Sequence, residues 1–208
     1  GPGARRARAP SRVIEAPRKA DLTLDLEAVE AAVIEHRPKL CFICAPNNPT
    51  GDTITEAALT RLLALPCTLL LDEAYVEFAA HASRIDWVPE HENLIVLRTL
   101  SKWGGLAGLR AGYGAFPAAL MPHLWKIKEP YAVSAAAEAA ARAALEDVAT
   151  LNARRDTLVA ERARLTAALR EMPHLEPTPS QANFVLCRVV GRDPAALRAA
   201  LEAQGILL

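Results

Sequence analysis

Net charge is the first property that this sequence lacks. Lysine and arginine together number 24, aspartate and glutamate together also number 24, and the formal net charge at pH 7 is zero. A protein that binds nucleic acid carries a basic face that neutralises phosphates. The even charge balance therefore argues against a nucleic-acid partner.

Long apolar runs are missing as well. No stretch approaches the roughly 20 residues that cross a bilayer, so we expect no membrane partner. The opening residues are Gly, Pro, Ala and Arg with no apolar core behind them, which does not match a secretory signal. The chain begins without Met and stops at QGILL, and we expect from this that it is cut at both ends.

Metal-ligand spacing is also lacking. The five histidines are scattered through the chain, so we expect no metal site. The four cysteines lie in apolar, strand-like runs, at Cys41, Cys44, Cys67 and Cys187. The first two form a C-x-x-C pair, which is found in metal and redox sites. However, residues three apart on a strand point to opposite faces, and we expect four buried free thiols in a reducing compartment.

Alternating strands and helices are the main pattern that is present. Hydrophobic residues make up 51% and charged residues 23%, which is typical of a globular protein. The pattern predicts buried strands at 39–45, 67–75, 93–101 and 111–116. It also predicts a helix over 25–36 with Asp25 as its N-cap, and a helix that Thr55 and Glu56 open. Apolar strands separated by helices predict an α/β fold, with a mainly parallel sheet sandwiched by helices.

The second half of the chain is predicted to be mostly helical. An Ala-rich helix covers 134–149, and a longer one covers 151–171. The longer helix carries residues at helical spacing: Leu151, Leu158, Arg162, Leu165 and Leu169. A strand region over 174–189 and a helix over 193–205 follow. We expect a large domain over 1–150 whose N-terminal part is missing, a connecting helix over 151–171, and part of a small α/β domain over 172–208.

Polar clusters follow three of the predicted strands. They are Asn47-Asn48, Asp72 to Tyr75, and Thr99 to Lys102. Parallel sheets bind ligands outside the carboxyl ends of their strands, so we expect these clusters to share one crevice.

Each residue of these clusters also has a simpler interpretation. Asp72 closes an apolar run, where a carboxylate needs a cation such as a protonated ring nitrogen, or else caps the next turn. Tyr75 and Asn48 could both hydrogen-bond a ring hydroxyl. Taken singly, a half-buried aromatic and a turn residue before Pro49 explain them better.

The richest segment is LIVLRTLSKWGGLAGLRAGYGAF, over 94–116. Lys102 follows the hydroxyls of Thr99 and Ser101, and Arg110 comes eight residues later. An amine beside hydroxyls and a fixed cation suits a lysine that forms a Schiff base with a phosphorylated aldehyde. The alternatives are a solvated lysine and an exposed arginine in a glycine-rich turn. Downstream, Ser180, Gln181 and Asn183 could reach a substrate or simply form a turn.

Three motifs in this order resemble the pyridoxal-phosphate-dependent aminotransferases of fold type I, class I and II. They are APNNPTG (45–51), LLLDEAYVEF (69–78) and LRTLSKWGGLAGLRAGYGAF (97–116). Within that family, the segments PYAVS (130–134) and PSQANF (179–184) are most similar to histidinol-phosphate aminotransferases.

The resemblance implies a role for each residue of the clusters. Lys102 would form the Schiff base with pyridoxal 5'-phosphate and then move a proton. Asp72 would pair with the ring nitrogen, while Asn48 and Tyr75 would bind the ring hydroxyl. The cofactor phosphate would be held by Thr99, Ser101 and Arg110.

The implied reaction moves an amino group between L-histidinol phosphate and 2-oxoglutarate. In the reverse direction, glutamate donates the amino group. The resemblance also implies a homodimer in the cytoplasm, or in the plastid stroma of a plant or alga. An aromatic aminotransferase, a threonine-phosphate decarboxylase and a non-catalytic fragment stay open as alternatives. Family members carry an N-terminal phosphate cradle and a stacking aromatic, and neither is recognisable before Val13. Their substrate-carboxylate arginine would lie beyond Leu208, so the resemblance implies an incomplete aminotransferase.

Overall fold

The computed structural model describes residues 12–207. The helices are α1 Leu26–His36, α2 Glu56–Leu63, α3 Met121–Ile127, α4 Ala135–Glu146, α5 Val148–Arg170 and α6 Pro194–Glu202. The strands are β1 Leu40–Cys44, β2 Thr68–Asp72, β3 Leu94–Thr99, β4 Gly112–Ala115, β5 Leu175–Pro177 and β6 Cys187–Val189. Short 3-10 turns lie at Val76–Phe78, Ile85–Glu90, Ala107–Leu109 and Ala118–Leu120.

The main sheet has the strand order β1-β2-β3-β4. The first three strands are parallel, which confirms a mainly parallel sheet. β4 runs antiparallel to β3, a direction that the strand–helix alternation did not predict. The connection between these two strands holds only a 3-10 turn, and without a crossover helix the chain turns back beside β3.

The first two helices begin where their capping residues predict. The Asp25 side chain accepts a hydrogen bond of 3.0 Å from Ala28 N, and the Thr55 hydroxyl accepts one of 3.2 Å from Ala58 N. Each cap satisfies a backbone N–H that the first helical turn leaves without a partner. Both predicted helix starts are confirmed.

One face of the main sheet carries the core. It combines strand residues with the inward faces of α1 and α2, and includes Ile43, Leu69, Leu71, Leu94, Val96, Val29, Val33, Leu59 and Leu62. The sequence predicts a fully buried first strand. This is wrong for the face of β1 that points away from α1 and α2. Leu40, Phe42 and Cys44 are exposed there, because no described element covers that side of the edge strand.

The cysteines differ in burial. All four are free, as predicted, but only Cys67 is buried, and Cys44 is exposed. Cys41 lies on the covered face of β1, where burial raises the pKa of its thiol to about 11. The prediction of four buried thiols therefore holds only for Cys67. Cys41 and Cys187 are half-buried, and strand alternation places Cys44 on the open face.

In the C-terminal half, helix α5 packs against the turn at Val76–Phe78 and against β5. Strand β5 pairs with β6 in antiparallel orientation. The five residues at helical spacing do not share one level of burial, because Leu151 is buried whereas Leu158 and Leu165 are each 47% exposed. Val159 packs against the buried cluster of Tyr75, Phe78 and Ala182. The domain boundaries at 150 and 171 stay a prediction. Across residues 12–207, no helix combines the length and apolarity needed to cross a membrane.

Candidate functional site

The carboxyl ends of the three parallel strands lie side by side. Cys44 of β1 is in register with Asp72 of β2, and Asp72 is in register with Leu97 of β3. The loops after these strands therefore leave the sheet at the same edge. This brings the three polar clusters to one edge of the sheet, and the shared crevice stays a prediction.

Three predicted site residues meet at this edge. Asn48 Nδ2 donates a hydrogen bond of 2.9 Å to the Tyr75 hydroxyl. Lys102 Nζ lies 5.3 Å from the centroid of the Tyr75 ring, within the range of a cation–π contact. Tyr75 is 7% exposed, whereas Asn48 and Lys102 are both exposed. A buried phenol thus joins an amide and an amine that are open to solvent.

Asp72 is half-buried at the end of β2. Its Oδ1 accepts a hydrogen bond of 2.9 Å from Ala74 N, which is the capping interaction considered as the simpler interpretation. Its second carboxylate oxygen makes no hydrogen bond to any residue within 12–207. One oxygen therefore shapes the turn, and the other is free to accept a bond from a ligand.

The hydroxyls of Thr99 and Ser101 form a local pair. Thr99 Oγ1 lies 2.9 Å from Ser101 Oγ and accepts a hydrogen bond of 3.0 Å from Ser101 N. It also lies 3.2 Å from Ala111 O, so it touches both ends of the loop between β3 and β4. Leu100 N donates to Ala111 O at 3.1 Å, which closes the same loop through its backbone.

The structure does not bring Arg110 into hydrogen bonds with Thr99 or Ser101. Its exposed side chain donates through Nη1 to Ala107 O at 2.8 Å. A Cβ added at Gly105 or Gly108 would meet no heavy atom within 4 Å, so the space beside this loop is open. The Arg110 guanidinium is exposed, and among the described residues it makes one hydrogen bond, which a ligand could replace.

The segment from Thr178 to Phe184 forms a turn that contacts the loop after β1. Gln181 N donates to Gly51 O at 2.7 Å, and Gln181 Oε1 accepts a bond of 2.8 Å from Ala80 N. Ser180 Oγ accepts from Ala182 N at 3.1 Å, whereas Asn183 is exposed. Of the two interpretations, the turn describes the contacts of Ser180 and Gln181.

Two residues near Tyr75 were missed as site residues by sequence reasoning. The Phe184 ring meets the Tyr75 ring edge-on, with centroids 5.2 Å apart. Arg162 of α5 donates to Phe78 O and Ala182 O. An arginine among leucines at helical spacing was the available signal, but its partners are distant in sequence.

The carboxylate of Glu73 links the turn after Asp72 to the segment Ser83–Arg84. Glu73 is 1% exposed and accepts hydrogen bonds from Arg84 N at 2.7 Å and from the Ser83 hydroxyl. Burial raises the pKa of the Glu73 carboxyl. Within the described residues, no group of three or more His, Cys, Asp or Glu side chains could hold a metal ion.

Comparison with known proteins points to one family. The family model described as "Aminotransferase class I and II" matches residues 2–208. The chain is 50% identical over 198 residues to the chloroplastic histidinol-phosphate aminotransferase of Nicotiana plumbaginifolia, covering 94% of this chain and 48% of that protein. It is 47% identical over 201 residues to the histidinol-phosphate aminotransferase of Roseiflexus castenholzii, covering 95% of this chain and 54% of that protein.

Solved structures point the same way. The crystal structure of histidinol-phosphate aminotransferase from Sinorhizobium meliloti in complex with pyridoxal-5'-phosphate matches with a TM-score of 0.85 and 31% identity. The match covers 95% of this chain and 55% of that one. The chain therefore spans about half the length of the relatives that it matches.

Proposed function

The chain belongs to the class I and II aminotransferase family, and from this premise we propose that it carries the cofactor site of a histidinol-phosphate aminotransferase. The complete enzyme would move an amino group between L-histidinol phosphate and 2-oxoglutarate with pyridoxal 5'-phosphate as its cofactor. The names of the most similar relatives support this choice of substrate.

The observation that carries the proposal is the grouping around Tyr75. A buried phenol bonded to the Asn48 amide at 2.9 Å, with the Lys102 amine 5.3 Å from its ring, is an arrangement suited to a planar ligand with a ring hydroxyl and a carbonyl. Each residue alone has a simpler interpretation. Their meeting at the strand ends is what a ligand site requires.

The available groups fit pyridoxal phosphate. The free oxygen of Asp72 would accept a bond from the ring nitrogen, and Asn48 and Tyr75 would bind the ring hydroxyl. The phosphate would be held by the residues of the β3–β4 loop: Thr99, Ser101 and Arg110. Arg110 is exposed and would exchange its bond with Ala107 O for a forked contact with phosphate oxygens.

The chain's own residues would provide positioning and proton transfer. When bound, pyridoxal phosphate supplies an electron sink for the negative charge that develops at the substrate Cα. Asp72 would keep a positive charge on the ring nitrogen, which deepens that sink. The Lys102 amine would attach the cofactor and then carry a proton at Nζ to and from the substrate Cα.

Covalent labelling tests the cofactor site directly. The full-length protein would be incubated with pyridoxal phosphate, reduced with borohydride and mapped by mass spectrometry. We expect the label on Lys102, no label in a Lys102→Ala variant, and an unchanged label in a Lys126→Ala control from helix α3. Failure of the wild-type protein to take up the label would refute the proposed cofactor site and favour the non-catalytic alternative.

A substrate comparison tests the reaction. We expect the full-length protein to transfer an amino group from glutamate to imidazole-acetol phosphate. Acceptance of aromatic keto acids alone would contradict the assignment and favour an aromatic aminotransferase. Release of carbon dioxide from threonine phosphate would instead favour the decarboxylase alternative.

The family alone supports the remaining parts of the proposal. We expect the full-length protein to be a homodimer, which sedimentation equilibrium would test. We expect it in the cytoplasm, or in the plastid if the source is a plant or alga, which microscopy of a tagged full-length protein would test.

A further inference from the structure

Arg162 is a partly buried cation on helix α5. Its guanidinium is half-buried, and burial lowers its pKa. No carboxylate lies within 4.0 Å of it in the part of the chain that the structure describes. Moving a cation out of water costs free energy, so its hydrogen bonds must do something that an apolar side chain could not.

Those hydrogen bonds join two separate segments. Arg162 Nη1 donates to Phe78 O at 3.1 Å and to Ala182 O at 2.6 Å. These carbonyls come from the turn after β2 and from the turn before β6, and they are 104 positions apart in the sequence. A single nitrogen therefore bridges both segments.

Tyr75 lies between the two bridged segments. On one side, Phe78 N donates to Tyr75 O at 3.1 Å, so Phe78 belongs to the same tight turn. On the other side, the fully buried Ala182 is followed two residues later by Phe184, whose ring meets the Tyr75 ring edge-on at 5.2 Å. Arg162 thus restrains Tyr75 both through its backbone and through the aromatic ring that packs on it.

We propose that Arg162 is a positioning residue that holds the Tyr75 hydroxyl in place for the cofactor. The inference rests on the proposed function, in which Tyr75 and Asn48 bind the ring hydroxyl of pyridoxal phosphate. Arg162 does not touch the ligand. It acts through the Phe78 and Ala182 carbonyls, so its effect must pass through Tyr75.

Arg164 provides a matched control on the same helix. Its side chain is exposed, and among residues 12–207 its one salt bridge is with Glu161, at 2.6 Å. Arg162→Met and Arg164→Met remove the same group from one helix, and only the first breaks the bridge. Arg162→Lys keeps a donor that can reach one carbonyl, and it serves as a second variant if Arg162→Met unfolds.

The test measures cofactor binding and cofactor absorbance in the full-length protein. We expect Arg162→Met to raise the dissociation constant for pyridoxal phosphate about fivefold to tenfold. This is the effect of losing one neutral hydrogen bond, here the bond between the Tyr75 hydroxyl and the cofactor. We also expect it to move the pH midpoint of the visible absorbance in the same direction as Tyr75→Phe. Arg162→Lys should restore part of both effects, and Arg164→Met should match the wild type.

A double variant separates positioning from general stability. If Arg162 acts through Tyr75, adding Arg162→Met to Tyr75→Phe should change the dissociation constant less than about twofold. Fully additive effects of the two substitutions on the dissociation constant, or an unchanged pH midpoint in Arg162→Met alone, would overturn the inference. The proposed function would still stand if the wild type takes up pyridoxal phosphate. Absence of cofactor uptake by the wild type would instead refute the proposed function, and the inference with it.

Discussion

Gly51 offers the most direct test of how the loop after β1 meets the turn before β6. Its backbone is left-handed, with φ at +74°. A Cβ built on it would lie 2.4 Å from Ser180 Oγ and 2.9 Å from Ser180 Cα. The second contact is with backbone, so a rotamer change at Ser180 cannot relieve it. Alanine at this position must push the two segments apart.

The expected cost has two parts. A residue with a Cβ in left-handed conformation loses about 1–2 kcal/mol. Separating the segments adds about 1–3 kcal/mol of overpacking, which includes weakening the bond of 2.7 Å from Gln181 N to Gly51 O. We therefore expect Gly51→Ala to lower the free energy of unfolding by about 2–5 kcal/mol.

Two other glycines separate these parts. Gly105 has φ at +68° but nothing within 4 Å of an added Cβ, so Gly105→Ala should lose only the conformational part, about 1–2 kcal/mol. Gly108 has no positive φ and also faces open space, so Gly108→Ala should stay within about 0.5 kcal/mol of the wild type. Urea unfolding of the cofactor-free proteins, followed by far-UV circular dichroism, measures all three.

The ranking of the three variants by their loss of unfolding free energy tests both parts of the argument. If Gly51→Ala loses no more stability than Gly105→Ala, the close approach of the loop to Ser180 is refuted. If Gly108→Ala is as harmful as Gly105→Ala, the conformational argument fails for the β3–β4 loop as well.

Three more predictions concern stability, each checked by urea unfolding. Burial holds the pKa of Glu73 above its ordinary 4.5, so the folded protein keeps that proton to a higher pH than the unfolded chain, and wild-type stability falls as the pH rises through this range. Glu73→Gln should therefore lose less stability relative to the wild type at neutral pH than near pH 4.5, and equal losses at both pH values would contradict this trend. The Glu161 carboxyl has a lowered pKa, so Glu161→Gln should show the opposite trend. Phe78→Ala should lower the free energy of unfolding by about 3–5 kcal/mol because Phe78 is 2% exposed. Phe42→Ala, at a position 65% exposed, should stay within about 0.5 kcal/mol of the wild type. Similar losses in both variants would show that the open face of β1 is covered in solution. Asp25→Ala should cost about 1 kcal/mol through the lost helix cap, and no loss would mean that the bond to Ala28 N contributes nothing.

Sequence reasoning succeeded where the deciding contacts are local. The starts of α1 and α2 follow from Asp25 and Thr55, because each cap bonds to a backbone N–H three residues away. The grouping of Asn48, Asp72 and Lys102 at one edge also follows, since parallel strands place their carboxyl ends together.

It failed where burial depends on distant elements. Phe42 and Cys44 read as buried because β1 is apolar, but the described chain covers only one face of that strand. Leu158 and Leu165 have helical spacing but are exposed, and α5 packs Val159 against the cluster around Tyr75 and Phe78 instead. Periodicity identifies an apolar stripe, and only the packed neighbours decide which stripe is covered.

By itself, the sequence determined the order of the elements other than α3, and the caps of α1 and α2, because near neighbours specify these through backbone hydrogen bonding and periodicity. The tertiary structure alone decided that β4 runs antiparallel, that Tyr75 meets Asn48 and Phe184, and that Arg162 bridges two distant turns. These contacts join residues far apart in the chain, and such pairs come together only when the whole sheet and α5 pack against each other.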